Sequence, residues 1–200
     1  MKTPDALIRL SSLLAKLPGV GRRSADRMAM ALMRDQGTLL RDLAFSLQDA
    51  ATKLKICPQC GSITQADEIP CGLCTDPRRN GKILCVVEDP GDIITIERAG
   101  GFQGRYHALM GKISPAKGDG IVQLRLDALL ARVAREQVEE IIIALNADVE
   151  SDATASFIRE SLAGRNIRIT RLARGIPTGA GVAHADATTL AQAIENRRAF

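Results

Sequence analysis

Four cysteines in the segment CPQCGSITQADEIPCGLC constrain the fold of this chain more than any other feature. Cys57, Cys60, Cys71 and Cys74 form two CxxC pairs that are separated by ten residues. Each CxxC turn offers two thiolates to one side of a Zn²⁺ ion, which binds four sulfur ligands tetrahedrally. Four protein ligands leave no open position, so the spacing predicts a structural zinc finger over residues 56–77. Two disulfides or a redox-active CxxC are the alternatives.

The chain carries no sequence signal for export or for membrane insertion. Asp5, Arg9 and Lys16 interrupt any apolar stretch near the start, which excludes the pattern of a signal peptide. No run of about 18 apolar residues exists, so we expect no membrane span. We therefore expect a cytoplasmic protein, in which the cysteines are thiols or metal ligands. Cys85 lies in an apolar run, and we expect it in the core.

The first fifty-five or so residues have the pattern of three helices. Apolar residues recur at spacings of three and four, at Leu7, Leu10, Leu14 and Leu17 in the first helix and at Ala25, Met28, Ala29 and Leu32 in the second. A third helix is predicted from about Thr38 to Leu54, with Leu39, Leu43, Leu47, Ala50 and Leu54 facing inward. The pattern thus predicts a small helical region before the cysteines.

The remainder of the chain alternates between strand and helix patterns. We predict strands at 83–88, 106–110, 139–146 and 167–173, a loop at 111–120, and helices at 91–99, 124–136, 151–163 and 187–198. The run ILCVVE is apolar throughout, as is typical of a strand that is buried on both faces. Alternation of this kind predicts an α/β fold with a parallel sheet and right-handed crossovers.

The segment LPGVGRRSADR joins the first two predicted helices through a glycine turn. Gly19 and Gly21 let backbone N–H groups approach a phosphate, and the next helix presents its positive end. Arg22, Arg23 and Arg27 place positive charge beside that point. The pattern is typical of a helix-hairpin-helix that binds the DNA backbone without reading bases. A tight turn between two helices with a glycine stop is the alternative.

The charge distribution agrees with a polyanion-binding N-terminal region. Residues 1–56 contain 10 Lys and Arg against 5 Asp and Glu, whereas the remainder contains 17 against 18. Such an excess indicates a nucleic-acid interface, although ordinary solvated helix faces would give the same count. Aromatic residues make up 2% of the chain, so base stacking on aromatic side chains is not expected.

Polar residues follow two strands of the predicted sheet, in VVEDPGD and ALNADVESDA. They are Glu88, Asp92, Asn146, Asp148, Glu150 and Asp152. The ends of parallel strands meet at one edge of a sheet, and converging carboxylates there could hold Mg²⁺ for phosphoryl transfer. Acidic residues at helix starts are the alternative, because they favour helix N-termini in any case. The segment GRYHALMGKI lacks the spacing of a phosphate-binding loop, so no ATP site is expected.

Taken in order, these pieces resemble one bacterial family over essentially the whole chain. LPGVG, the two CxxC pairs, DPRR, ILCVVEDPGDI, LMGKISP, GIPTG and TTLAQAI are similar to blocks of the RecR recombination mediators. The resemblance implies a helix-hairpin-helix region at 1–55, the zinc finger, a Toprim domain at 81–175 and a C-terminal segment at 176–200 that contacts other subunits. The implied fold class is α/β, with a helical N-terminus, a four-cysteine finger, a parallel sheet flanked by helices and a C-terminal helix.

The resemblance also implies a function. RecR proteins are non-catalytic mediators that act with RecO and RecF to help load RecA onto gapped DNA coated by single-strand-binding protein, as homodimers or ring tetramers. Active Toprim enzymes carry a Glu after the first strand and Asp-x-Asp after the third. Here Asn146 replaces the first aspartate of that pair. Asp148 stands where RecR relatives usually have an uncharged residue. The acidic residues are then implied to contact partner proteins. A Mg²⁺-dependent Toprim nuclease or strand-transfer enzyme that uses Glu88, Asp148, Glu150 and Asp152 is the alternative.

Overall fold

The computed structural model describes residues 3–34, 37–113, 125–173 and 175–197. The chain divides into two compact units, residues 1–55 and 56–200. The first unit contains three helices, α1 (Asp5–Leu14), α2 (Arg22–Ala31) and α3 (Thr38–Lys53). None of the helices in the described ranges is long and apolar enough to span a membrane.

The remaining elements follow the predicted alternation of strands and helices after the cysteine segment. They are β1 (Leu54–Ile56), β2 (Ile63–Gln65), α4 (Gly72–Thr75), β3 (Asn80–Val87), α5 (Pro90–Ala99), β4 (Gly104–Ala108), α6 (Leu126–Glu136), β5 (Glu140–Ala144), α7 (Val149–Ser161), β6 (Arg168–Arg171), a 3₁₀ turn (Val182–His184) and α8 (Ala187–Glu195). The short strands β1 and β2 pair with each other. These two strands, α4 and the 3₁₀ turn were not predicted. Residues 114–120 of the predicted loop, residue 124 and residue 198 lie outside the described residues.

Helices α1 and α2 pack against each other, but α1 has no fully buried residue, and Leu17, which we predicted on its apolar stripe, lies beyond its end and is exposed. Ala25, Ala29 and Leu32 are buried on one side of α2, and the hydroxyl group of Ser11 on α1 donates a hydrogen bond to the carboxylate of Asp26 on α2. Met28, which we predicted on the same face, is instead exposed. Small side chains at Ala25 and Ala29 let the two helices approach closely, and this leaves Met28 at the margin of the contact.

The prediction that the leucines of α3 and its C-cap residue Leu54 face inward is wrong. Leu39, Leu43, Leu47 and Leu54 are 38–62% exposed, and α3 has no buried residue. The helix itself forms at the predicted position, because its apolar residues do repeat with helical periodicity. Periodicity shows which side of a helix is apolar, but it does not show that the same chain supplies a surface to cover that side.

The second unit is built on a four-stranded parallel sheet in the order β4-β3-β5-β6, which confirms the predicted α/β fold. The central strand β3 is buried on both faces. Leu84 and Val86 pack under α6 and α7 on one side, whereas Cys85 and Val87 pack near α5 on the other. This alternation follows from the two-residue period of a strand. Cys85 is in the core, as predicted.

The strand register brings three strand ends to one edge of the sheet. Val87, the last residue of β3, pairs with Ala108 at the end of β4 and with Ala144 at the end of β5. Strand β5 is two residues shorter than predicted at its end, so Asn146 lies in the loop that follows it. Strand β4 ends at Ala108 because Met110 adopts a left-handed conformation with φ of 64°. The chain segments after these strands therefore meet.

Candidate functional site

The four cysteines of the two CxxC pairs converge into one buried cluster. The Sγ atoms of Cys57, Cys60, Cys71 and Cys74 all lie within 4.8 Å of one another, and their residues are 0–5% exposed. A tetrahedral ion with Zn–S bonds of 2.3 Å requires sulfur atoms about 3.8 Å apart. The Sγ atoms of Cys60 and Cys71 are 3.4 Å apart, compared with about 2.05 Å in a disulfide, and all five cysteines are free. The cluster fits a tetrahedral thiolate-binding metal.

Backbone hydrogen bonds shape the two CxxC turns. The Gly61 N–H donates to the Cys57 carbonyl at 2.9 Å, and the Cys57 N–H donates to the Ser62 carbonyl at 2.8 Å. The Ser62 N–H points at Cys60 Sγ at 3.4 Å. In the second turn, the Cys74 N–H donates to the Cys71 carbonyl at 2.8 Å. These bonds turn the chain so that all four thiols face one point.

The thiols of the cluster influence one another's ionisation. Hydrogen bonding with Cys71 and burial raise the pKa of Cys60, whereas hydrogen bonds from Cys60 and Cys74 lower the pKa of Cys71. The pKa of Cys74 is also raised, first by its hydrogen bond with Cys60. Adjacent thiolates repel each other, which disfavours ionising all four thiols in the absence of a cation. A bound dication would stabilise all four thiolates together, which is the chemistry of a closed metal site.

Two arginines hold the first CxxC turn against the parallel sheet. Arg125 donates to the carbonyl groups of Pro58 and Gln59, and Arg132 donates to the carbonyl groups of Gln59 and Tyr106. Arg132 is buried and also pairs with Glu136 at 3.0 Å. Burial lowers the pKa of Arg125. These contacts fix the position of the cysteine cluster relative to β4.

The glycine turn of the first unit has an open geometry. Gly19 has φ of 76°, and no atom lies within 4 Å of the place where a Cβ would stand. Gly21 is the N-cap of α2 and supplies no side-chain acceptor to its first N–H groups, and the first turn contains no acidic residue. The N-terminal end of α2 therefore presents free backbone N–H groups and the positive end of the helix dipole to solvent.

Arg22, Arg23 and Arg27 are exposed beside this turn. In the ranges that the structure covers, none of the three forms an ion pair with an acidic side chain. Asp26, on the same helix, accepts a hydrogen bond from Ser11 instead. An exposed helix N-terminus with three guanidinium groups that form no ion pair has the chemistry to bind phosphate oxygens.

At the strand edge the structure brings Glu88, Asn146 and Asp148 together around Lys112, and we call these four residues the strand-edge cluster. The Lys112 Nζ lies 2.8 Å from Asp148 Oδ2 and 3.6 Å from Glu88 Oε1. The Asn146 Nδ2 donates to Glu88 Oε2 at 2.9 Å. Hydrogen bonding from Lys112 lowers the pKa of Asp148 to about 2, and the same bond raises the pKa of Lys112. The two carboxylates are thus held by a protein cation.

The other predicted acidic residues are not part of this cluster. Asp92 accepts the Asp89 N–H at 2.9 Å in a capping box at the start of α5. Asp152 pairs with Arg171 on β6, and Glu150 lies in the first turn of α7. In the described part of the chain the four cysteines are the only group of three or more potential ligands whose atoms come within 4.8 Å of one another.

Sequence reasoning missed Lys112, Arg125 and Arg132. Lys112 belongs to the segment GRYHALMGKI, whose spacing excludes a phosphate-binding loop, but its place in the loop after a predicted strand of the same sheet was a usable signal. No local pattern marks Arg125 and Arg132, because their acceptors are carbonyl groups 66 and 73 residues away in the sequence.

Comparison with known protein families gives three consecutive matches. Residues 7–51 match the model described as RecR, helix-hairpin-helix, residues 82–173 match the Toprim domain, and residues 175–198 match RecR, C-terminal. The order and the ranges agree with the architecture described above.

Several full-length relatives are similar to the chain, and each is named recombination protein RecR. The relative from Mesorhizobium japonicum is 46% identical over 192 residues, which cover 96% of this chain and 94% of the relative. Those from Myxococcus xanthus and Caulobacter vibrioides strain NA1000 are 42% identical over 196 residues and 45% identical over 190 residues. They cover 98% and 95% of this chain, and 98% and 94% of the respective relatives.

Proposed function

The chain belongs to the RecR family of recombination proteins, and we propose that it acts as a non-catalytic, DNA-binding mediator of recombinational repair. The observation that carries this proposal is the glycine turn with its exposed arginines. It supplies phosphate-binding groups that form no ion pair with an acidic side chain within the described part of the chain.

The proposed DNA contact is to the backbone. The free N–H groups at the start of α2 bind a phosphate oxygen, while Arg22, Arg23 and Arg27 bind the phosphates beside it. Gly19 and Gly21 leave space for the backbone of the nucleic acid to approach. Such contacts carry no base sequence information, which suits a protein that acts wherever gapped, single-stranded or duplex DNA is exposed.

The proposed resident metal is Zn²⁺, held by Cys57, Cys60, Cys71 and Cys74. Four thiolates in tetrahedral arrangement select zinc among the common cellular divalent ions, and a site with four protein ligands is structural. When bound, the ion supplies folding free energy to the finger and not chemistry. The finger then forms the segment 56–77 between the helix-hairpin-helix region (1–55) and the Toprim domain (81–175).

We propose that the strand-edge cluster has no catalytic role. Asn146 donates a hydrogen bond to the carboxylate of Glu88, and Lys112 forms an ion pair with it. Asp148 accepts hydrogen bonds from Lys112 and from the Ser151 N–H at the start of α7. A Mg²⁺-dependent nuclease would require these carboxylates as metal ligands. No described observation favours the enzyme over the mediator, so we propose a docking role for this edge, with RecO or RecF as the partner.

Assembly is proposed to involve a second copy of the chain. The exposed leucines of α3 form an apolar side that a homodimer would cover, because exposed apolar patches of this kind mark interfaces. The C-terminal segment 176–200, with its short helix α8, is proposed as a second contact that closes a ring. In the cytoplasm such an assembly would help RecA load onto gapped DNA coated by single-strand-binding protein.

The salt dependence of DNA binding tests the proposed contact. Each neutralised phosphate adds about −0.9 to the slope of log K against log salt on duplex DNA. We expect the Arg23→Ala, Arg27→Ala double variant to flatten that slope by roughly two units. The measurement is fluorescence anisotropy of labelled gapped DNA over a series of salt concentrations.

A matched control removes the same charge elsewhere. Arg98 on α5 and Arg159 on α7 are also exposed, so the Arg98→Ala, Arg159→Ala variant has the same net charge as the first. We expect it to keep the wild-type slope. Equal flattening in both variants would mean that net charge alone drives binding, and an unchanged slope in the first would place the DNA contact elsewhere.

A further inference from the structure

The strand-edge cluster contains its own cation. Lys112 follows β4, Glu88 follows β3 and Asp148 follows β5, so the three charged groups come from different segments of the Toprim sheet. The ammonium group lies between the two carboxylates, 2.8 Å from Asp148 Oδ2 and 3.6 Å from Glu88 Oε1. This is the position in which a divalent ion bridging the same two carboxylates would lie.

Three of the four oxygen atoms of the two carboxylates accept hydrogen bonds from protein groups, and the fourth forms an ion pair. Glu88 Oε1 faces Lys112, and Glu88 Oε2 accepts a hydrogen bond from the Asn146 amide at 2.9 Å. Asp148 Oδ2 accepts from Lys112, and Asp148 Oδ1 accepts the Ser151 N–H at 2.8 Å. A metal ion that bound here would have to displace at least the lysine contacts, since Mg²⁺ needs carboxylate oxygens at 2.0–2.1 Å.

The backbone around Lys112 is anchored on both sides. The N–H groups of Met110 and Gly111 donate to the Glu88 carbonyl at 2.9 and 3.2 Å. On the other side, the Ile113 N–H donates to Thr154 Oγ1 at 2.9 Å, and Thr154 is fully buried in α7. Met110 has φ of 64°, a conformation that a non-glycine residue keeps only when surrounding contacts enforce it. The fold therefore fixes the backbone from which the Lys112 side chain reaches the two carboxylates.

We propose that Lys112 is a built-in counter-cation that closes this edge of the sheet to divalent metal ions. The edge accepts Mg²⁺ or Mn²⁺ only when the ammonium group is removed, because Glu88 and Asp148 then regain one free oxygen each, and two carboxylates with water complete such a site. This inference goes beyond the mediator function, since it concerns which cation the edge can hold and does not depend on DNA binding.

Mn²⁺ binding to the zinc-loaded protein tests the proposal. Mn²⁺ prefers carboxylate oxygen to thiolate and so stays out of the cysteine cluster, and its electron paramagnetic resonance signal reports the bound fraction. We expect Lys112→Met, which keeps the length of the side chain without its charge, to bind Mn²⁺ at least about tenfold more tightly than the wild type. Lys112→Arg keeps the charge, and we expect it to remain like the wild type.

The Glu88→Gln substitution assigns any binding to this edge. We expect it to abolish the gain in the Lys112→Met background. A folded Lys112→Met protein with wild-type Mn²⁺ affinity, or a gain that survives Glu88→Gln, would overturn the proposal. The wild-type protein provides a test even if Lys112→Met does not fold. Saturable Mn²⁺ binding to the wild type that disappears in Glu88→Gln would also refute the proposal. Loss of DNA binding leaves every one of these results unaffected.

Discussion

Replacing Gly61 by alanine places a methyl group where the structure has no room for it. Gly61 ends the first CxxC turn with φ of 84°. A Cβ at this position would lie 2.5 Å from Arg125 Nη1, 2.8 Å from Ala108 Cβ and 3.0 Å from Met110 Cε. The arginine terminus can move, but it would then lose its bonds to the carbonyl groups of the CxxC turn, and Ala108 is fixed in β4.

Two separate costs add up for this substitution. A left-handed conformation costs a non-glycine residue about 1–2 kcal/mol, and overpacking a dense site costs about 1–3 kcal/mol more. We therefore expect Gly61→Ala to lower the free energy of unfolding by about 2–5 kcal/mol. The assay is urea unfolding of the zinc-loaded protein, followed by circular dichroism.

Gly164→Ala is the matched control. Gly164 has φ of 79°, but no atom lies within 4 Å of its Cβ position, so only the conformational cost of about 1–2 kcal/mol applies. If Gly61→Ala destabilises the protein no more than Gly164→Ala does, the close packing between the cysteine cluster and the sheet does not contribute, and the reasoning is refuted.

Two further predictions concern the metal and the pH dependence. We expect the Cys74→Ser variant to lose bound zinc and the Cys85→Ser variant, whose cysteine lies outside the cluster, to keep it. Atomic absorption of the purified variants measures the zinc content. Zinc retained in Cys74→Ser would contradict the proposal that Cys74 is a zinc ligand. Burial lowers the pKa of His107 to about 4, below its unfolded value of about 6.5. The neutral imidazole therefore stabilises the fold above pH 6.5, and up to roughly 3 kcal/mol is lost as the pH falls to 4. His107→Gln should remove that part of the pH dependence in urea unfolding, and an unchanged profile would contradict it.

The sequence predicts those features that depend on local pattern. Spacing alone identifies the four cysteines that converge in the structure, because two CxxC turns at this separation are typical of a metal site. The apolar run that became β3 was identifiable because a strand buried on both faces has no polar positions. The structure has Asp89 and Asp148 as the N-caps of α5 and α7, which agrees with the general preference of carboxylates for helix N-termini that the sequence left as the alternative for the acidic residues.

Features that depend on long-range contacts could not be read from the sequence. The apolar side of α3 is evident from the periodicity, but the sequence does not say whether the surface that covers it belongs to the same chain. Lys112 meets Glu88 and Asp148 only because three strands end in register, and such a register is a property of the folded sheet. The sequence shows the acidic residues at the strand ends, but it does not show that Lys112 lies among them.

The most direct test of the account uses labelled gapped DNA and the zinc-loaded protein, with and without Mg²⁺ or Mn²⁺. Binding and cleavage are measured on the same samples. The account predicts binding that weakens steeply with salt, while the DNA remains intact under every condition. Metal-dependent cleavage that disappears in Glu88→Gln would contradict it, because the strand-edge cluster would then be an active site.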